Sequence, residues 1–311
     1  MSRSWLCFGA LASLAILGPL LTGSADPPSL APGAAQLLPP GARADEAVLE
    51  GGGFVRAREI IATEGGLRLR SAQGWREIRG VRATSPVRSA RLWLGTDHQG
   101  RSLIARLLHG ARTSLFVASV ATVVAVALGT GFGLAAAWAR GALAAGLRIA
   151  VDGLLGLPRL LLLLMLGVTL RGSTSGVALA IGLASWMEVS RLVEAEARGL
   201  RRRPFVSAAV AAGGGPVRMA WLHLAPNLTP IVSVAAPLVA TEAVLLESTL
   251  SFLGVAGGGA DSWGRMVADG QRFLPSGWWL ICFPGLLLSL TALAVQDLVR
   301  PRQRARLARL D

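Results

Sequence analysis

The chain has no lysine and no tyrosine, only 2 cysteines and 3 histidines, and charged residues fill just 16% of its 311 positions. Each shortage excludes something. A Walker A loop needs a lysine to reach the phosphates, so no nucleotide-hydrolysing site of that kind is present. Cys7 and Cys282 stand far apart inside apolar runs and read as small packing residues, not as a disulfide, a metal pair or a nucleophile. His98, His109 and His223 are scattered, and no tight His/Cys/Asp/Glu spacing suggests a metal site. Gly172-Ser173-Thr174-Ser175-Gly176 carries Thr where a nucleophile elbow carries Ser, and reads as a tight turn.

The scarcity of charge is itself a class assignment. Soluble chains carry about 25% charged residues, whereas this one is 52% hydrophobic. Several stretches of about twenty residues are nearly free of charge, the length a helix needs to cross a bilayer. The formal net charge of +13 comes with arginine as the sole Lys/Arg-type residue. Many of these arginines flank apolar runs, as cytoplasmic loops do. No single basic face with interleaved aromatics stands out, so nucleic-acid binding is set aside.

Apolar runs give the organisation. The first, Trp5 to Leu21 after Arg3, suits either a first membrane span or a signal peptide, since Gly23-Ser24-Ala25 resembles a cleavage site. Residues 23–112 are polar. A Pro-rich linker from Pro27 to Pro40 opens them, and residues 47–83 then alternate short β-type runs with turn signals at Gly65-Gly66 and Gln73-Gly74. This predicts a small β module of three or four strands within 43–92. Five further spans are expected at about 113–138, 149–170, 176–193, 228–250 and 277–299. The expected fold is therefore an all-α polytopic membrane protein with six transmembrane helices and a small β-rich external insertion. Its parts are 1–22, 23–112, a core at 113–299 and a basic tail at 300–311.

Orientation follows from arginine in the short loops. Arg198, Arg201, Arg202, Arg203 and Arg218 mark the loop at 194–227 as cytoplasmic, and Arg300 to Arg309 do the same for the tail. Between the last two spans Asp261 and Asp269 balance Arg265 and Arg272, which suits the outside. Within the spans, Asp152, Arg159 and Glu188 sit where charge is costly and are candidates to line a path. Asp152 and Arg159 are seven residues apart in one expected span, on nearly the same face, which suggests a partial pairing.

The loop at 194–227 reads as a short helix over Phe205–Ala212, a break at Gly213-Gly214-Gly215-Pro216, and a second helix from Val217 to Leu224 stopped at Pro226. Gly213, at the helix break, is suited to a positive φ. Such a knob offers a partner something to grip.

These residues carry a resemblance. FVSAAVAAGGGPVRMAWLHLAPN resembles the cytoplasmic EAA loop of ABC-importer permeases of the dipeptide/oligopeptide/nickel type. Ala208, Ala209, Gly213, His223, Pro226 and Asn227 match its pattern, while Ser207 stands in place of its Glu and Ala225 in place of its usual Leu. LGTDHQGRSLIARLLHGARTSL resembles the segment before the second span of that subfamily, through Gly95, Thr96, Asp97, Gly100, Arg101, Gly110 and Arg112, with Ser102 for the usual Asp. Asp152, Pro158, Trp186 and Arg191 match family positions in the third and fourth spans. Glu247, Leu250, Ser251, Phe252, Leu253, Gly254, Ser262, Trp263 and Gly264 match its Glu-x-x-Leu-Ser-Phe-Leu-Gly…Ser-Trp-Gly signature, and Trp279, Phe283, Pro284 and Gly285 its last span. Gln296-Asp297 replaces its usual ending. The matches keep their order over about 200 residues, far more than one motif supplies.

The resemblance implies an inner-membrane permease without an ATPase site of its own. It would pair with a second permease, dock two cytoplasmic ATPase subunits through 194–227, and receive substrate from an external binding protein. ATP and Mg would be used by the partners, and no cofactor would be bound by this chain. Peptides, nickel and other small solutes are carried within the subfamily. Two other classes remain beside it: an integral membrane enzyme, which needs convergent catalytic residues at one membrane depth, and a scaffold acting through the β module.

Overall fold

The computed structural model describes residues 31, 34–50, 53–63, 65–71, 74–84, 86–170, 172–215, 218–255 and 261–307, apart from the side chains of residue 221 and of residues beyond 294. The expected first span at 5–21 and the side chains of the basic tail lie outside the described residues. The rest falls into two compact units, one within 114–259 and 289–311, the other within 10–113 and 260–288.

The second unit holds six strands, β1 (Ala42–Val48), β2 (Phe54–Ala57), β3 (Glu59–Thr63), β4 (Gly66–Ser71), β5 (Gly74–Arg79) and β6 (Arg88–Leu92). They make two antiparallel three-stranded sheets, ordered β2-β1-β6 and β3-β4-β5. Strands β4 and β5 begin at Gly66 and Gly74, the second residues of the two turn signals. The strand count exceeds the three or four expected because β1 and β6 present mostly small or charged residues. Ala44, Ala47 and Ala57 are fully buried in their place, where small side chains give little hydrophobic signal. Ile60, Leu67 and Leu69 fill the same core as Val55 and Leu49.

The helices are α1 (Leu103–Trp138), α2 (Gly141–Leu155), α3 (Arg159–Thr169), α4 (Thr174–Arg201), α5 (Pro204–Ala211), α6 (Thr229–Phe252), α7 (Trp263–Gly270) and α8 (Trp279–Leu307), with a π-helical turn at Met219–Leu224. By length and composition α1, α4 and α6 can each cross a membrane, and the apolar part of α8 is the shorter Trp279–Ala294.

Three expectations are corrected. The third span is not one helix: α2 and α3 meet at an 89° bend. Pro158 caps α3 there, and its ring and missing N–H stop α2 from running on. The loop expected from residue 194 starts later, because α4 continues to Arg201 and Glu194 is buried within it. Finally, the helix after the triple glycine does not stop at Pro226. It passes through the π-helical turn and Ala225–Asn227 to α6, because proline sits in the first helical turn of that short segment, where its missing N–H costs nothing.

Close approach of α1 and α4 depends on glycine. A Cβ at Gly129 would lie 2.5 Å from Val189 Cβ, one at Gly133 2.6 Å from the Ser190 carbonyl, and one at Gly182 2.7 Å from Val124 Cβ. Gly129 and Gly133 are four apart, the small-residue spacing that lets membrane helices meet backbone to backbone. Gly133→Val is therefore expected to cost about 1–3 kcal/mol of stability through overpacking, read as a lower thermal midpoint in detergent. Gly131→Val on the same helix, where a Cβ meets nothing within 4 Å, should leave the midpoint unchanged. Equal effects would contradict the packing account.

Candidate functional site: a charged seam and an apolar knob

Helix α4 carries polar or charged residues every three or four positions, Ser185, Glu188, Arg191, Glu194, Arg198 and Arg201. Side chains at such spacings are neighbours along a helix. They form a stripe that winds from the middle of the helix to its basic end, and nearly every member has a partner. Arg201 is bonded to the Ala137 carbonyl, with its guanidinium over the Trp138 ring. Glu194, with a 5% exposed side chain, accepts from Arg148 of α2 at 2.8 Å and from Arg198. Arg191 pairs with Asp152 at 2.8 Å.

At the upper end of the seam Arg159, the first residue of α3, contacts three groups. It donates to Glu188 Oε1 at 3.3 Å, to Glu242 of α6, and to Ser185 Oγ at 2.7 Å. The Asp152–Arg159 pairing expected from their spacing does not occur. The bend at Pro158 removes them from a common face, and each finds its counter-ion on α4 instead. Asp152, Arg159 and Glu188 thus belong to one seam but not to one contact. Glu242 and Arg148 were not singled out from sequence. Their only signal is a charge in a largely apolar run, which marks a cost without naming the partner.

The opposite face of α4 is apolar and holds a knob. Val189, Val193 and Ala197 pack in one core with Val206 of α5, Met219 and Leu224 of the π-helical turn, Leu228, and Ile231 of α6. Helix α5 ends in a Schellman cap: the Gly214 N–H reaches the Ala209 carbonyl at 3.1 Å and the Gly213 N–H the Val210 carbonyl at 3.0 Å. That geometry needs a left-handed residue, and Gly213 has φ +85°. Of the matched loop residues, Ser207 and Ala208 are exposed on α5 and Ala209 is half-buried. The His223 carbonyl accepts from Asn227 Nδ2 at 2.7 Å, and the Pro226 carbonyl from Thr229 Oγ1 at 2.8 Å. The knob turns outward Phe205, Val210 and Leu222, the last 61% exposed. An anchored apolar protrusion of this kind suits insertion into a partner.

The signature residues of α6 form a helix stop. Ser251 Oγ donates to buried Glu247 at 2.8 Å. A second Schellman cap follows, with Gly254 at φ +76° and the Val255 N–H on the Leu250 carbonyl at 3.0 Å. Phe252 is half exposed.

In the second unit the other signature residues converge. Gly95 and Gly100 have φ +81° and +75°, and a Cβ at Gly95 would lie 2.4 Å from the Leu38 carbonyl. Thr96 Oγ1 donates to the Ala35 carbonyl at 2.6 Å, and its own carbonyl accepts from the Trp279 indole at 3.1 Å. Asp97 is fully buried and accepts from the backbone N–H groups of Gln99 and Arg101, from Arg101 Nε at 2.8 Å and from Arg106 at 3.1 Å. Arg106 is the hub: it also reaches Asp261 at 2.6 Å and Asp269 at 3.3 Å. The two aspartates that sequence set against Arg265 and Arg272 are thus held by an arginine that sequence reading passed over. Trp263 is fully buried beside Gly264, its indole N–H on the Leu107 carbonyl at 2.9 Å. This cluster staples the unit together; among the described residues no group of three His, Cys, Asp or Glu side chains is placed to hold a metal.

Residues 129–305 match the family described as binding-protein-dependent transport system inner membrane component. The dipeptide transport system permease protein of Bacillus subtilis is 31% identical over 225 residues, 70% of either chain. A dipeptide transport system permease protein of Alkalihalophilus pseudofirmus is 34% identical over 207 residues, 66% of this chain and 68% of that one. Among solved structures, a chain of the MetNI methionine ABC transporter in inward-facing conformations aligns with a TM-score of 0.51 at 17% identity, covering 63% of this chain and 96% of that chain. The likeness at that identity is one of fold.

Removing Arg106 leaves Asp97 and Asp261 to share the Arg101 guanidinium, at 2.8 and 3.8 Å, and takes the ion-pair partner of Asp269 away. Arg106→Ala should cost about 3 kcal/mol, the lower end for breaking a buried ion pair. Thermal unfolding in detergent, followed by tryptophan fluorescence, is the check. An unchanged midpoint would show that the cluster does not hold the unit.

Proposed function

The chain belongs to the family of binding-protein-dependent transport system inner membrane components, and from that premise we propose that it is a permease subunit of an ATP-driven importer of peptides. The observation that carries the reading is the knob at 204–228, anchored on α4 and apolar outside. Its partner is a cytoplasmic ATPase subunit, one of two. A second permease completes the path, and an external binding protein delivers the cargo. The relatives named for dipeptide transport support peptides as that cargo. ATP and Mg stay on the ATPase subunits, and this chain converts their closure into alternating access, a two-state change that partner binding biases.

The proposed topology has six spans in the bacterial inner membrane, with both ends and the knob cytoplasmic and the β module outside. The broken pair α2–α3 serves as one span. A break at membrane depth is tolerated where the freed backbone is covered by protein or faces water.

The test is Gly213→Asp. Any side chain at φ +85° is strained, and an acidic one also places charge on the knob surface. Strain in the left-handed region costs about 1–2 kcal/mol, so ATPase subunits should be retained in pull-down about tenfold more weakly. Substrate-stimulated ATP hydrolysis in the assembled complex should fall with it, while membrane insertion stays normal. If neither measurement moves, the knob is only a connector and the reading loses its support.

A further inference from the structure

The upper end of the seam holds more acid than base. Glu188 lies fourteen residues after Thr174 and thirteen before Arg201, so it sits about 20 Å from either end of α4. Glu242 is thirteen residues after Thr229 and ten before Phe252, likewise near the middle of α6. Both contact Arg159, and Ser185 adds a neutral hydroxyl, so two acidic side chains share one guanidinium. The carboxylates are also the outward members: Glu188 and Glu242 side chains are 53% and 39% exposed, against 24% for Arg159.

An outward-facing excess carboxylate within a membrane span is untenable against lipid tails. The surface must meet water or another polar partner. Arg159 acts as an internal counter-ion that keeps the station from holding two bare carboxylates when nothing else is bound. Its Nε atom is buried and, among the described residues, has no hydrogen-bond partner, so the guanidinium is not fully committed where it lies. A station with a displaceable counter-ion suits a cation that comes and goes better than a permanent one.

On the reading of the chain as a peptide permease, we propose that Glu188 and Glu242 form a transient station on the transport path for the free α-ammonium group of a peptide. The ammonium takes the outward carboxylate oxygens by charge-assisted hydrogen bonds. Arg159 holds the pair when the station is empty and is released toward the peptide carboxylate when it is filled. Binding protein and ATPases are not involved in this step, so it acts on passage and not on capture.

The experiment is uptake into proteoliposomes holding the complete importer, with radiolabelled dialanine and N-acetyl-dialanine as probes. Wild type should take up dialanine faster than the acetylated form. Glu242→Gln should lower dialanine uptake about tenfold, the loss of one charge-assisted hydrogen bond, and narrow the gap between the probes. Glu242→Asp should recover much of the rate. Wild type that carries no dialanine would overturn the peptide reading and this proposal with it. A Glu242→Gln importer that slows neither probe, or slows both equally, would overturn the station alone. So would loss of the second permease on co-purification, which would make Glu242 a subunit contact.

Discussion

Hydrocarbon offers no counter-ions, and that constraint shapes the first unit. Helix α4 is apolar enough to span a membrane, yet it carries Glu188, Arg191, Glu194, Arg198 and Arg201. Each buried charge must be met from within the protein. Arg159, Arg148 and Asp152 do so from α2 and α3, and Glu242 of α6 in turn pairs with Arg159. The break at Pro158 follows from the same need: by turning the chain through 89° it starts α3 with Arg159 beside α4. The face of α4 that carries Val189, Val193 and Ala197 packs the knob. One helix therefore carries both the charged seam and the core on which the knob packs.

The second unit solves a smaller version of the problem. Asp97 is buried and accepts two backbone N–H groups and two guanidiniums, which compensates its desolvation. The indoles of Trp263 and Trp279 satisfy carbonyls of Leu107 and Thr96. These bonds tie residues 96–107 to residues 261–279, so the glycine and aspartate pattern is explained by folding. It needs no direct role in transport.

Sequence made local features legible. Apolar runs located α1, α4 and α6, the Gly65-Gly66 and Gln73-Gly74 signals located the starts of β4 and β5, and the triple glycine located the cap of α5. Each depends on a few neighbouring residues. What stayed hidden depends on distant ones. Arg159 and Glu242 are 83 residues apart, and Arg106 and Asp261 are 155 apart; an isolated charge in an apolar run does not name its partner. The end of α4 was hidden for a related reason. Glu194 through Arg201 looks like a solvated loop until Arg148 and Ala137 are seen to cover it. Similarly, Pro226 reads as a helix stop, but the π-helical turn before it re-registers the backbone and the chain stays helical.

The central claim is that the knob faces the cytoplasm and the β module the outside. In a chain with Cys7 and Cys282 replaced, single cysteines at Val210 and Trp75 probe this directly, both being exposed positions. A membrane-impermeant maleimide added to sealed right-side-out vesicles should label position 75 at once and position 210 only after permeabilisation. Labelling of position 210 in sealed vesicles, with position 75 protected, would contradict the account.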